Sequence, residues 1–307
     1  MNSIVLRAPA SIANLSCGFD VLGLCIENPF DEIKITKNVN RKVIINIEKS
    51  PFSNIPSNPK ENTGGVPAEL IMKDYNLGFG FNINIKKGIP LCGGLGSSAA
   101  TAAGVVYGIN ELLDKKLSLN KMIKYALEGE RLSSDTPHAD NVGPCIMGGL
   151  VLIRDTESLD LINIPVDNLY FAIVHPDVIV NTKSARQILP NKIDLSSAVK
   201  QWGNVAGLTY GFASNNINLI KRSMEDYIIE PIRSKLIPEY DNVKKIALDN
   251  GAVGCSISGS GPSIFALCDN HEVAKQVVFH MEKEFKRKRI KFHSYVSPIN
   301  NRGIEVL

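Results

Sequence analysis

The sequence predicts an α+β protein built as two domains. Two observations carry this. Short runs of alternating apolar and polar residues are interleaved with longer helix-like stretches, and 307 residues are more than one ordinary core organises. In the first half, Ile33 and Ile35, then Val43, Ile45 and Ile47, then Phe81, Ile83 and Ile85 alternate with polar neighbours, as half-buried strands do. Such strands predict an antiparallel sheet with one face packed on helices. Helices are expected over residues 97–113 and 119–132, followed by a buried strand over 149–153. Gly104 and Gly108 disfavour the first of these helices by propensity, so a close packing contact is expected there.

The second half has a different rhythm. A strand is expected over 170–174, and helical stretches near 184–189, 198–212, 217–227 and 241–249. Strands over 252–257 and 263–267, a helix over 273–285 and a strand over 292–296 complete the pattern. Allowing for extra helices, the order strand–helix–strand–strand–helix–strand is that of a ferredoxin-like unit. The polar segment 155–160 sets the expected boundary near residue 160, giving domains 1–160 and 161–307.

Composition narrows the function classes. Hydrophobic residues make up 44% and charged residues 21%, as in ordinary globular proteins. A formal net charge of +3 is too small to argue for a nucleic-acid partner. The basic run Lys286-Arg287-Lys288-Arg289 follows Val273, Val277, Val278, Met281 and Phe285 at helical spacing, so it reads as a solvated helix end. No run approaches the roughly 20 apolar residues that span a bilayer. Met1 to Arg7 lacks the pattern of a signal peptide. The six cysteines include no Cys-x-x-Cys pair and read as thiols in a reducing compartment. A cytoplasmic protein with no membrane partner is expected.

The most informative stretch is Pro90-Leu91-Cys92-Gly93-Gly94-Leu95-Gly96-Ser97-Ser98-Ala99-Ala100-Thr101. It follows an expected strand and opens into an alanine-rich helix. Glycines let the main chain approach an anion, and the free N–H groups of a helix start favour phosphate oxygens. Ser97 and Ser98 add hydroxyls suited to phosphate or magnesium. The stretch lacks the lysine of a Walker A loop and the third glycine of a dinucleotide fingerprint. A glycine cluster by itself is equally well a tight turn into a closely packed helix.

Three segments together decide between these. The first is Ala8-Pro9-Ala10-Ser11-Ile12-Ala13-Asn14-Leu15-Ser16-Cys17-Gly18-Phe19-Asp20, the second the glycine-rich stretch, and the third Gly259-Ser260-Gly261-Pro262-Ser263. With His138-Ala139-Asp140-Asn141-Val142, Thr182-Lys183-Ser184-Ala185-Arg186 and Glu230-Pro231-Ile232-Arg233, they resemble the GHMP kinase superfamily, and within it the homoserine kinases, over almost the whole length. Two departures are Cys92-Gly93-Gly94, where the family loop often begins Pro-x-Gly-Ser-Gly, and Cys17, where a small residue is common. The resemblance implies an N-terminal domain like ribosomal protein S5 domain 2, a ferredoxin-like C-terminal domain and an active site between them. It also implies ATP and Mg²⁺, L-homoserine as acceptor, a place in threonine biosynthesis, and a homodimer.

Residue roles follow from the resemblance, and charge explains the residue types. Arg186 and Arg233 suit the α-carboxylate of homoserine, Asp20 its ammonium, with Asn14 and Thr182 nearby. Thr182 is equally suited to capping the helix that carries Arg186. Ser98 and Glu130 are the implied magnesium ligands, with Glu128 as the competitor that helix phase would separate. Residues 90–100 would hold the phosphates, Asn62 the adenine, and Lys87 would stand near the phosphate loop. Asn141 is expected at the substrate hydroxyl, with His138 and Asp140 beside it as further candidates for the chemical step. An amide takes no proton, so positioning and electrostatics without a dedicated base are the favoured reading. Two rival functions remain: a related kinase for a mevalonate- or shikimate-type alcohol, and a silent sensor of ATP or an amino acid.

Overall fold

A computed structural model describes residues 1–133 and 138–307. The first unit contains strands β1 (Ser3–Ala13), β2 (Leu22–Asn38), β3 (Val43–Ile47), β4 (Gly80–Lys86), β5 (Leu150–Asp155) and β6 (Asp160–Ile164). Its helices are α1 (Gly65–Asp74), α2 (Ser97–Leu112), α3 (Leu119–Glu130) and α4 (Ala139–Met147). The 17-residue β2 is the spine of the sheet. It pairs β1 along its length, β4 through Glu32–Asn38 and β5 through Leu22–Leu24, all antiparallel, while β3 lies parallel to β4.

β1 carries small residues where a strand usually carries large ones. Leu6, Ala8, Ala10 and Ile12 are fully buried, and α2 packs directly onto them. A Cβ at Gly104 would lie 2.9 Å from Ala8 Cβ and 2.6 Å from Ile33 Cδ1, and one at Gly108 2.6 Å from Ile35 Cδ1. The close contact expected at these glycines is therefore present. The β1–β2 register shifts between Pro9 and Ser11, and beyond that bulge the Ser11 N–H reaches the Leu95 carbonyl at 3.2 Å, tying the strand to the glycine loop.

The second unit contains β7 (Tyr170–Pro176), α5 (Thr182–Gln187), α6 (Leu195–Ala213), α7 (Ile217–Ser223), α8 (Glu230–Arg233), α9 (Tyr240–Asp249), β8 (Gly254–Ile257), β9 (Ile264–Cys268), α10 (His271–Arg287) and β10 (Phe292–Pro298). Its sheet runs β10-β7-β9-β8, all antiparallel, which is the ferredoxin-like order. On one face Ala172, Val174, Cys255 and Ala266 pack against Val243 and Ala247 of α9 and Val277, Met281 and Phe285 of α10. From the other face Phe171, Ile173, Phe265 and Leu267 join the core of the first unit. The basic run at the end of α10 is paired locally: Lys286 with Glu282, Arg287 with Glu284 and Lys288 with Glu239.

Three expectations change. The first sheet runs past residue 160, because β6 pairs β5 and a last short strand, β11 (Glu305–Val306), returns to pair β1. The chain therefore crosses between units twice, at 165–169 and at 299–304. The two crossings are clasped by Asn301, whose Oδ1 accepts from the Val166 N–H at 3.0 Å and whose Nδ2 donates to the Val166 carbonyl at 2.9 Å. α7 stops at Ser223 rather than 227, because residues 226–230 form a turn closed by the Asp226 carboxylate. Finally β1, α1 and α4 are regular elements where no periodicity announced one. No helix among the described residues is long and apolar enough to cross a membrane.

Candidate active site

The two units meet at a cavity of about 400 Å³. One wall is the glycine loop. Gly94 and Gly96 have φ of +74° and +66°, and Gly96 is the N-cap of α2. A Cβ at Gly94 would lie 2.2 Å from the Ser258 carbonyl of the second unit, and one at Gly96 2.1 Å from Ser11 Oγ. The left-handed φ favours glycine at both positions, and at Gly94 backbone atoms also exclude a side chain. The loop is held from the second unit by Ser258 Oγ, which donates to the Gly94 carbonyl at 2.6 Å, and by the Ser263 N–H on the Gly93 carbonyl. Leu91, Cys92, Gly93, Gly94, Gly96, Ser97 and Ser98 line the cavity, whereas Leu95, Ala99 and Ala100 are buried behind it with Pro90. Cys92, at φ +51°, is exposed.

Two sequence candidates lie in this wall with their polar atoms turned to internal partners. The Lys87 ammonium is buried and pairs with Asp31, the Ser97 carbonyl at 2.9 Å and Thr101 Oγ1 at 2.9 Å. Its three donors are thereby satisfied, so it braces the first turn of α2 instead of reaching outward to a phosphate. Asn62 donates to the Pro56 carbonyl and accepts from the Gly64 N–H. Its amide orders the loop ahead of α1 and keeps one N–H and one lone pair for a ligand. Both residues still line the cavity.

Glu130, the last residue of α3, is 4% exposed and lines the same cavity. Burial pushes its carboxyl up to about 7, against the Ser98 and Ser133 hydroxyls that hydrogen-bond to it and the charge of Lys87. Glu128 instead pairs with Arg131 at the half-exposed helix surface, so helix phase separates the two as expected. A buried carboxylate beside two hydroxyls, at the edge of a phosphate-type loop, fits a hard cation that takes one or two protein oxygens. Among the described residues no cluster of three or more His, Cys, Asp or Glu forms a metal site.

The opposite end carries fixed charges. Asn14, Leu15 and Ser16 all have positive φ, an unfavourable run for a β-carbon residue such as Leu15 that marks a tightly specified turn. Asn14 holds this turn: its Oδ1 accepts from the Asp20 N–H at 3.1 Å and its Nδ2 donates to the Gly259 carbonyl at 3.0 Å. Asp20 receives both Arg186 Nη atoms, at 2.6 and 3.3 Å. That pairing raises the Arg186 pKa. Arg233 is 4% exposed, donates to the Ala185 and Gly259 carbonyls, and has its pKa lowered by burial. Both guanidinium groups lie over the Phe19 ring, Arg186 at 5.3 Å and Arg233 at 5.1 Å from its centre. Thr182 Oγ1 meets Ser260 Oγ at 3.3 Å, and the cap of α5 is Asn181, not Thr182.

Between the two ends lies the start of α4. Asn141 Oδ1 accepts from Ser11 Oγ at 2.8 Å and its Nδ2 donates to Asp140 Oδ1 at 3.3 Å, so the amide orientation is set. Asp140 is buried and faces the cavity, where burial and then the charges of Asp20 and Glu130 push it up to about 8. The His138 Nδ1 lies 3.8 Å from Asp20 Oδ1, and burial lowers its pKa. Sequence reasoning missed Asp31, Thr101 and Ser133, which support the loop and Glu130, and gave no role to Ser11 and Phe19. The last two stand inside the quoted N-terminal segment, which was their available signal.

A glycine loop at a helix start, a buried carboxylate and a two-unit frame with a ferredoxin-like half define a class, and family comparisons agree. The model for the GHMP kinases N terminal domain matches residues 66–149, and that for the GHMP kinases C terminal domain matches 208–287. Homoserine kinase from Chlorobium phaeobacteroides is 40% identical over the full length of both chains. The chain belongs to the GHMP kinase family and is a kinase. Homoserine kinases are among its full-length relatives: the crystal structure of the Cytophaga hutchinsonii homoserine kinase superposes with a TM-score of 0.95 at 46% identity, over 100% of this chain and 98% of that one. The Methanococcus jannaschii mevalonate kinase, at 17% identity and a TM-score of 0.72 over 95% and 97% of the two chains, shares the fold alone.

Proposed function

We propose that the protein transfers the γ-phosphoryl group of ATP to the side-chain hydroxyl of L-homoserine, giving O-phospho-L-homoserine for threonine biosynthesis. The observation that carries this is the charge arrangement opposite the glycine loop, where Asp20, Arg186 and Arg233 converge in the same cavity. A zwitterionic amino acid satisfies it by exchange. The incoming carboxylate replaces Asp20 as partner of Arg186, and the ammonium takes Asp20 in turn. Mevalonate and shikimate carry no ammonium, so with them Asp20 would lose Arg186 without a replacement.

The phosphates would rest on the loop N–H groups and the start of α2, with Ser98 and Glu130 as the residues to hold Mg²⁺. When bound, the ion neutralises charge on the phosphate oxygens. Asn141 and His138 would orient the acceptor hydroxyl. Asp140, held largely protonated at neutral pH, is not disposed to accept a proton, which supports catalysis by positioning and charge stabilisation.

The remaining family expectations are carried forward as part of this reading: a cytoplasmic homodimer acting without a membrane or nucleic-acid partner. The apolar residues Leu195, Val199, Trp202 and Tyr210 exposed along α6 support a subunit contact.

Purified protein incubated with Mg·ATP and homoserine, followed by phosphorus NMR beside mevalonate and shikimate controls, tests the assignment. Product from homoserine alone, lost in Arg186→Ala and Arg233→Ala, is expected. Product only from a control acceptor overturns the amino-acid site.

A further inference from the structure

α6 lies outside the glycine loop, yet its buried Gln201 reaches both halves of the charged end of the cavity through the main chain. Gln201 Nε2 donates to the Cys17 carbonyl at 2.8 Å and to Asp226 Oδ1 at 2.9 Å, and its Oε1 accepts from the Tyr227 N–H at 2.9 Å. Cys17 lies inside the tight turn that presents Asp20, and its thiol is held by the Ser223 carbonyl at 3.4 Å. Asp226 accepts from the N–H groups of Ile228, Ile229 and Glu230, closing the turn that starts α8, whose last residue is Arg233. One side-chain amide therefore joins the turn bearing Asp20 to the turn bearing Arg233.

An α-amino acid carries its ammonium and carboxylate on the same carbon. The spacing of their two counter-charges is thus a matter of fit, and a shift of either turn misaligns both. We propose that Gln201 is a positioning residue that sets the register between Asp20 and Arg233, and so the affinity for the amino-acid substrate. The inference rests on the homoserine reading given above. Glutamine suits the place because one nitrogen serves two acceptors while the oxygen takes an N–H. Methionine keeps the shape and loses all three bonds. Glutamate sets a carboxylate against Asp226 and the Cys17 carbonyl. The titratable groups facing this position are Asp226, from the turn before α8, and the Cys17 thiol, which burial and Asp226 push up to about 12. Arg186 borders the same apolar hollow.

The test is steady-state kinetics of wild type, Gln201→Met and Gln201→Glu, varying homoserine and ATP separately at pH 6 and pH 8. Q201M is expected to raise the homoserine KM about tenfold while the ATP KM stays within about twofold, since no Gln201 bond leads to the glycine loop. Q201E is expected to show the larger defect relative to wild type at pH 8. At pH 6 it should recover in part, as a protonated carboxyl donates one hydrogen bond. Should Q201M fail to melt cooperatively, the pH dependence of Q201E carries the test alone. Equal rises in both KM values, an unchanged homoserine KM, or a Q201E defect independent of pH overturns the inference. Wild type that turns over mevalonate or shikimate but not homoserine overturns the underlying substrate reading with it, and is seen in the same assay.

Discussion

Gly94→Ala separates a backbone constraint from a side-chain one in the glycine loop. At φ +74° a β-carbon costs about 1–2 kcal/mol by itself. The new methyl would also stand 2.2 Å from the Ser258 carbonyl and 3.0 Å from that of Gly261, both main-chain atoms of the other unit. Neither rotates away, so overpacking adds about 1–3 kcal/mol. The total, about 2–5 kcal/mol, is a large part of the roughly 5–15 kcal/mol that holds a typical domain folded. Gly96→Ala carries similar strain, but its methyl meets Ser11 Oγ and Asn141 Oδ1, which are side chains. They yield at the loss of their 2.8 Å hydrogen bond, about 1 kcal/mol. Urea denaturation should therefore rank G94A below G96A in stability. Kinetics should show a raised ATP KM in G94A and a reduced kcat in G96A, where Asn141 is displaced. A G94A protein destabilised by less than about 1 kcal/mol, or less than G96A, would refute the argument that the second unit fixes the loop by backbone contact.

Other outcomes follow from the buried charges. Lys87→Met leaves Asp31 uncompensated beneath α2 and should cost about 3–5 kcal/mol by denaturant melt, an effect absent if Asp31 is neutralised by other means, as Lys87→Met/Asp31→Leu would reveal by recovering stability. Asp140, raised to about 8, holds a proton in the folded state that the unfolded chain releases near 3.8. Its contribution is therefore complete below that lower value and is lost as pH rises toward 8. Asp140→Asn should melt higher than wild type at pH 9, with the gain fading toward pH 4; a gain independent of pH would point to packing instead. Glu130→Gln should lower turnover on the order of 100-fold and weaken Mg²⁺ dependence in a metal titration at fixed ATP, whereas unchanged half-saturation by Mg²⁺ would remove Glu130 from the ion site.

Much of the site was legible because its parts are local in sequence. The glycine loop announces itself by residue type within a short window, while the Asn14–Asp20 segment and Arg186 are picked out by short motifs that resemble the family's. The ferredoxin-like half was legible for a similar reason, since its strands alternate or run apolar between clear helices. What escaped reading is non-local. β1 does not look like a strand because Ala8 and Ala10 are small, and at Ala8 the reason is Gly104 of α2, far on in the chain, which packs directly against it. Lys87 reads only as a residue near the phosphate loop because Asp31, its buried partner on β2, gives no sign in the sequence of pairing with it. The domain boundary moved for the same cause: a two-residue strand at 305–306 is invisible until β1 is there to pair with it.

The paired crossings at 165–169 and 299–304 have a mechanical consequence. A body attached by one strand can swivel about it; one attached by two strands, clasped side by side by Asn301, can swing but resists twisting, like a door on two hinges. The core that Phe171, Ile173, Phe265 and Leu267 share with the first unit adds to that resistance. Asn14 and Gly94 stay opposite the 258–263 turn that bonds them, and the parts of a site divided between two units keep their alignment through each turnover.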